Sequence, residues 1–93
     1  MSTVSPERTF CFSVTAHSDP ATLSRVLEVF ALHGFVPSRC HAQRTQERGD
    51  RLAVDLQQDG IDQRQADKLA ARLRAIVLVE TVLLSEKAFA LAS

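Results

Sequence analysis

Ser18-Asp19-Pro20-Ala21-Thr22-Leu23-Ser24-Arg25-Val26-Leu27-Glu28-Val29-Phe30-Ala31-Leu32-His33-Gly34-Phe35 (SDPATLSRVLEVFALHGF) carries the signals of a helix with both ends written in. Asp19 has a carboxylate suited to the N-cap, and Pro20 at the first helical position loses only an amide that the helix would leave unpaired. Leu23, Val26, Leu27 and Phe30 recur at i, i+3, i+4 and i+7, which makes one face apolar. Thr22, Ser24, Arg25 and Glu28 fall outside that stripe. Gly34 supplies the left-handed stop, and His33 before it stands at the negative end of the helix dipole.

A strand lies on either side. Thr9–Ala16 (TFCFSVTA) alternates, with Phe10, Phe12, Val14 and Ala16 on one face and Cys11, Ser13 and Thr15 on the other. After the helix, Val36–Thr45 (VPSRCHAQRT) is polar, and Pro37 suits it to a sheet edge because proline cannot donate to a ladder. Gln46–Asp50 is a turn with Gly49-Asp50 at its tip. Arg51–Gln57 (RLAVDLQ) alternates again, with Leu52, Val54 and Leu56 inward, and the two runs read as a hairpin. Asp59-Gly60-Ile61 breaks the strand, and Asp62 with Gln65 three residues on forms a capping-box variant. Ala66, Leu69, Ala70, Leu73 and Ile76 give a second apolar helical stripe, opposite Arg64, Gln65, Lys68, Arg72 and Arg74. A final strand over Val77–Ser85 (VLVETVLLS) is apolar except for Glu80 and Thr81.

The order is β-α-β-β-α-β, and two helices cannot cover both faces of a four-stranded sheet. The expected class is therefore α+β, a ferredoxin-like four-stranded antiparallel sheet with both helices on one face. Right-handed crossovers put the first and third strands in the centre and the second and fourth at the edges. An open second strand invites pairing with another chain, so a homodimer through that edge is expected. Residues 1–8 read as a flexible arm, 9–86 as the domain, and 87–93, with Phe89 and Leu91, as a tail.

Composition removes several function classes. The 93 residues include eleven basic and eleven acidic side chains, so the chain lacks the basic excess of a nucleic-acid module. The third strand also lacks aromatics for stacking RNA bases. Ala75–Val79 is too short to span a bilayer, and the N-terminal stretch does not resemble a signal peptide, so a cytoplasmic location is expected. Cys11 and Cys40 form neither a disulfide framework nor a CxxC motif, and they fall on strands separated by a third. His17, His33 and His41 stand on a loop, a helix end and a strand, without a serine or cysteine spaced as a nucleophile–base pair. His17-x-Asp19 offers two metal ligands where a closed zinc site needs four. The loop after the first strand has neither the glycines nor the arginine of a phosphatase cradle. No catalytic residue, metal site or cofactor is expected.

The turn Ser18–Thr22 remains, and it admits two readings. Amides at a helix start can receive a carboxylate anion, or Asp19 can cap the helix and occupy them itself.

These residues resemble the ACT domain, a ligand-sensing βαββαβ module of amino-acid metabolism. The proline turn and helix, the Gly-Asp hairpin and the second helix carry the likeness, which runs from about Phe10 to Glu86. Pro20, Thr22-Leu23, Arg25-Val26-Leu27 and Gly34-Phe35 make it most similar to the small regulatory subunit of acetolactate (acetohydroxyacid) synthase, of the short single-domain type. The resemblance implies a non-catalytic subunit of branched-chain amino-acid biosynthesis that binds the large catalytic subunit, which would own the thiamine diphosphate, magnesium and flavin. It also implies a small amino-acid effector at a seam between two such domains, against Ser18, Asp19, Pro20, Ala21 and Thr22, with Val36, Pro37 and Ser38 closing the pocket. The family usually has glycine where Ala21 stands and asparagine where Val36 stands, replacements that resemble small subunits unresponsive to valine and imply weakened or lost effector binding. A free-standing ACT-domain amino-acid sensor with another target is the alternative.

Overall fold

The computed structural model describes residues 8–46 and 49–87. The expected arm over residues 1–7 and most of the tail, with Phe89 and Leu91, lie outside them. The order is β1 (Thr9–His17), α1 (Thr22–Leu32), β2 (Arg39–Thr45), β3 (Arg51–Asp59), α2 (Gln63–Arg74) and β4 (Val79–Lys87). The antiparallel sheet runs β2-β3-β1-β4, so β1 and β3 are central and β2 is an edge, as the crossover rule requires.

One face of this sheet is dry. Phe10, Phe12, Val14 and Ala16 of β1, Val54 and Leu56 of β3 and Val82 of β4 are buried with Val26 and Phe30 of α1 and Ala66, Leu69, Ala70 and Leu73 of α2. Phe12 and Phe30 meet edge to face, with ring centroids 5.4 Å apart, which joins the central strand to α1. The apolar stripe of α1 is rotated from the one expected. Thr22 is fully buried and Val29 nearly so, whereas Leu23 and Leu27 are only half-buried. Thr22 tolerates burial because its hydroxyl donates to the His17 carbonyl at 2.8 Å.

The helix ends follow local chemistry. At the C-terminus of α1, Gly34 has φ 77°, the Phe35 amide donates to Phe30 O and the Gly34 amide to Ala31 O, which is a Schellman closure. The His33 ring donates from Nδ1 to the Val29 carbonyl at 2.8 Å, satisfying another acceptor of the last turns. Asp62 accepts from the Gln65 amide, and the Gln65 side chain accepts from the Asp62 amide, completing the box at the start of α2.

Several boundaries differ from the expected ones. α1 starts at Thr22 rather than Pro20, with Ala21 as N-cap and without a side-chain cap bond. β2 starts at Arg39 rather than Val36, because residues 35–38 complete the helix exit and Ser38 only begins the ladder, its amide donating to Gln57 O. β3 continues to Asp59, which brings Gln58 onto the buried face, its Nε2 donating to the Asp59 carbonyl. β4 starts at Val79 because the Ile76 and Val79 amides turn back on Leu73 O and Ile76 O, leaving Val77 exposed. It also continues to Lys87, and a register shift opposite Thr15 and Ala16 places an extra residue, Glu80, in the ladder.

Leu69→Ala, which removes a fully buried side chain, should cost about 2–5 kcal/mol, and Asp62→Ala, which opens the capping box, about 1 kcal/mol, both read from urea unfolding midpoints. Glu86 is held below the usual glutamate range by hydrogen bonds and charge from Arg8, 2.9 Å away. Its contribution to stability is complete above the ordinary glutamate pKa and disappears as pH falls through the lowered folded value. Carboxyl NMR titration should show the depressed midpoint, and Arg8→Ala should return it to the ordinary range.

Candidate functional site

The Ser18–Thr22 turn is built by three hydrogen bonds close in sequence. The Asp19 amide donates to His17 O at 3.0 Å, the Ala21 amide to Asp19 Oδ1 at 2.8 Å, and the Thr22 amide to the Asp19 carbonyl at 3.0 Å. Asp19 therefore caps its own turn, two residues ahead of the N-cap position, and takes up the Ala21 amide itself. The amides left open at the helix start, among the described residues, are those of Leu23 and Ser24. Ala21 has φ −83°, an ordinary backbone for alanine, so the glycine usual in the family is not needed here for its conformational freedom. Beside the turn, the His17 amide donates to Leu78 O at 2.8 Å, which ties it to the segment that enters β4.

Val36, Pro37 and Ser38 form a different surface. Val36 is 84% exposed, and both the amide and the hydroxyl of Ser38 donate to the Gln57 carbonyl. The strand register separates the two segments. Ser18 follows His17, which pairs with Arg51, whereas Ser38 precedes Arg39, which pairs with Gln57. Arg51 and Gln57 are six residues apart on β3, a span of about 20 Å along a strand. The eight expected site residues thus form two half-sites at opposite ends of the sheet, which a single copy does not bring together.

β2 lies between these ends as an open edge. Its residues Arg39–Arg44 are exposed and Thr45 is half-buried, so the helix layer does not reach over this strand. An added antiparallel strand would meet the row of main-chain groups that β3 does not use.

The sheet face away from the helices has its own relief. Register places Arg39, Gln57, Cys11 and Ser85 in one row and His41, Asp55, Ser13 and Leu83 in the next. Together they line a shallow groove of about 530 Å³, with small side chains along the middle and Leu83, 70% exposed, at one side. His41 faces outward here, as its strand position requires. Cys11 and Cys40 are free, separated by β3, and on opposite faces. Partial desolvation pushes the Cys40 thiol up, which keeps it protonated and poorly nucleophilic. Among the described residues, no three His, Cys, Asp or Glu side chains converge as a metal site. No helix among them is long and apolar enough to cross a membrane.

Alternation along β1, β2 and β3 carries the composition of the open face. A second cleft, between the two helices, joins residues 25 and 29 to residue 72 and residues 75–78. Its sequence signal is one oddity, an arginine in a helix first turn that has no acidic residue.

The fold is shared with solved structures of low sequence identity. An uncharacterized protein of Thermotoga maritima superposes with a TM-score of 0.68 at 14% identity, covering 86% of this chain and 96% of that one. The ACT domain from the GTP pyrophosphokinase of Chlorobium tepidum gives 0.63 at 13% identity, over 85% and 99% of the two chains. The C-terminal domain of the MgtC protein from Mycobacterium tuberculosis gives 0.64 at 12%, over 99% and 100%. At such identities the likeness concerns the fold alone. Comparison with curated proteins gives no match. The family model for the ACT-like domain, however, matches residues 5–90. With the βαββαβ topology and the proline turn in place, this chain belongs to the ACT-like domain family, whose members are generally regulatory, amino-acid-sensing modules.

Proposed function

We propose that this chain is the non-catalytic regulatory small subunit of acetolactate synthase, acting by binding the large catalytic subunit and biasing it toward an active conformation. The observation that carries this reading is the Pro20-to-Phe35 sequence pattern, realised as a turn, an intact α1 and a Schellman exit, in a domain with an open edge for association. The cofactors and the chemistry would belong to the partner.

The edge also gives the effector question a geometric form. Antiparallel pairing of β2 with β2 of a second copy would run that copy's Val36–Ser38 toward the end where Ser18–Thr22 lies, because the two β2 strands point in opposite directions. A homodimer through this edge is thus the arrangement in which the half-sites approach each other, with two equivalent seams. Asp19 on the Ala21 amide and the apolar Val36 both favour weak or absent effector binding.

A second reading, a free-standing amino-acid sensor with another target, is favoured by the open Leu23 and Ser24 amides, which are placed to donate to a carboxylate. The two readings predict different behaviour. Mixed with the acetolactate synthase catalytic subunit of the same cell, the protein should co-elute on gel filtration and change its turnover. Separate elution with unchanged turnover would remove the subunit reading. In a thermal-shift screen of the twenty amino acids, the subunit reading predicts little or no stabilisation of this chain and a gain in the Ala21→Gly, Val36→Asn double variant. A clear shift of the unmodified chain by one amino acid would favour the sensor instead.

A further inference from the structure

Half of the eight described arginine side chains are engaged. Arg8 pairs with Glu86, Arg44 with Asp50 and Arg51 with Glu80, and Arg74 donates to the Val82 carbonyl. Arg39 and Arg64 have no ion-pair or side-chain hydrogen-bond partner among the described residues, and neither have Arg25 and Arg72. These two flank a cleft of about 470 Å³ between α1 and the C-terminal end of α2, with Val29, Ile76 and Val77 along it. Val77 is 94% exposed.

Arg72 has a local reason for its place, since a cation in the last turn of α2 complements the helix dipole. Arg25 has none. It lies in the first turn of α1, where a positive charge opposes its own helix, and no acidic residue there offsets it. The cleft therefore presents two guanidiniums beside apolar side chains, and among the described residues no acidic one lines it.

We propose that this cleft docks an acidic amphipathic helical segment of a partner protein. A large apolar side chain of that segment seats against Val29, Ile76 and Val77, and a carboxylate on either side meets Arg25 and Arg72. The groove between two packed helices receives the ridge of a third, and a guanidinium fork matches a carboxylate in geometry and charge. A small anion would satisfy the arginines but leave Val77 in water, so the apolar part of the surface selects an amphipathic partner over a free carboxylate. The cleft also touches the proline turn. Leu78, which lines it, accepts the His17 amide, so docking and the Ser18–Thr22 half-site share one hydrogen bond. The partner's identity rests on the regulatory-subunit reading, whereas the surface does not.

The test uses the isotope-labelled full chain and NMR titration with three probes: a soluble helical peptide with leucines flanked by glutamates, its lysine-for-glutamate counterpart, and free glutamate. The acidic peptide should move the amide signals of Arg25, Val29, Arg72 and Val77, and the basic peptide should not. Arg25→Glu with Arg72→Glu, both exposed and outside the core, should weaken the acidic peptide at least tenfold and admit the basic one. Val77→Ser, with the charges intact, should weaken the acidic peptide as well. Equal response to both peptides, shifts confined to other surfaces, or an equal effect of free glutamate would overturn the proposal. Peptide binding at the cleft without retention of the acetolactate synthase catalytic subunit leaves the surface standing and removes the subunit reading. Retention of that subunit by the charge-reversed pair, as tightly as by the unmodified chain, does the opposite.

Discussion

Two helices can keep water from only one face of a four-stranded sheet, and the rest of the molecule is arranged around that shortage. The covered face concentrates its burial on β1, whose alternate residues Phe10, Phe12, Val14 and Ala16 are almost wholly removed from solvent. β1 has β3 on one side, β4 on the other and the helices above, so it joins every layer. The edge-to-face contact of Phe12 with Phe30 couples it to α1, and Leu69 and Leu73 bring α2 onto the same floor. On the two central strands, what cannot be covered is left polar or small: Cys11, Ser13 and Thr15 on β1, and Ala53, Asp55 and Gln57 on β3, with Leu83 of β4 the exposed apolar exception.

Those elements whose limits depend on local chemistry were legible in the residues. Gly34 closes α1 because glycine enters the left-handed region freely, and Asp62 with Gln65 opens α2 because each satisfies the other's amide. The start of α1 was misread for an equally local reason. Asp19 had two amides within reach, and it took that of Ala21 in a tight turn rather than one in the first helical turn. Val77 and Leu78 read as strand because hydrophobicity alone does not separate an exposed turn from a buried ladder. Thr22 looked like surface by its hydroxyl, but a carbonyl one turn of chain away made its burial inexpensive.

The candidate site divides along the same line. Each half-site is a short contiguous segment and was visible as such. Their separation was not, because it follows from strand register, which is a relation between segments distant in sequence. Arg25 and Arg72 illustrate the point further. Arg25 is odd within its helix and Arg72 is not, but only the antiparallel packing of α1 against α2 sets them across one cleft.

β2 extends past the shelter of the helices, with Arg39–Arg44 exposed. Its side chains contribute almost nothing to the core, so the domain's stability places little restriction on which residues occupy them. The same strand carries the free edge through which another chain would be recognised. Recognition and folding are thus assigned to different strands of one sheet. Sequence drift on β2 can change the company the domain keeps while β1 and the helices continue to hold it together.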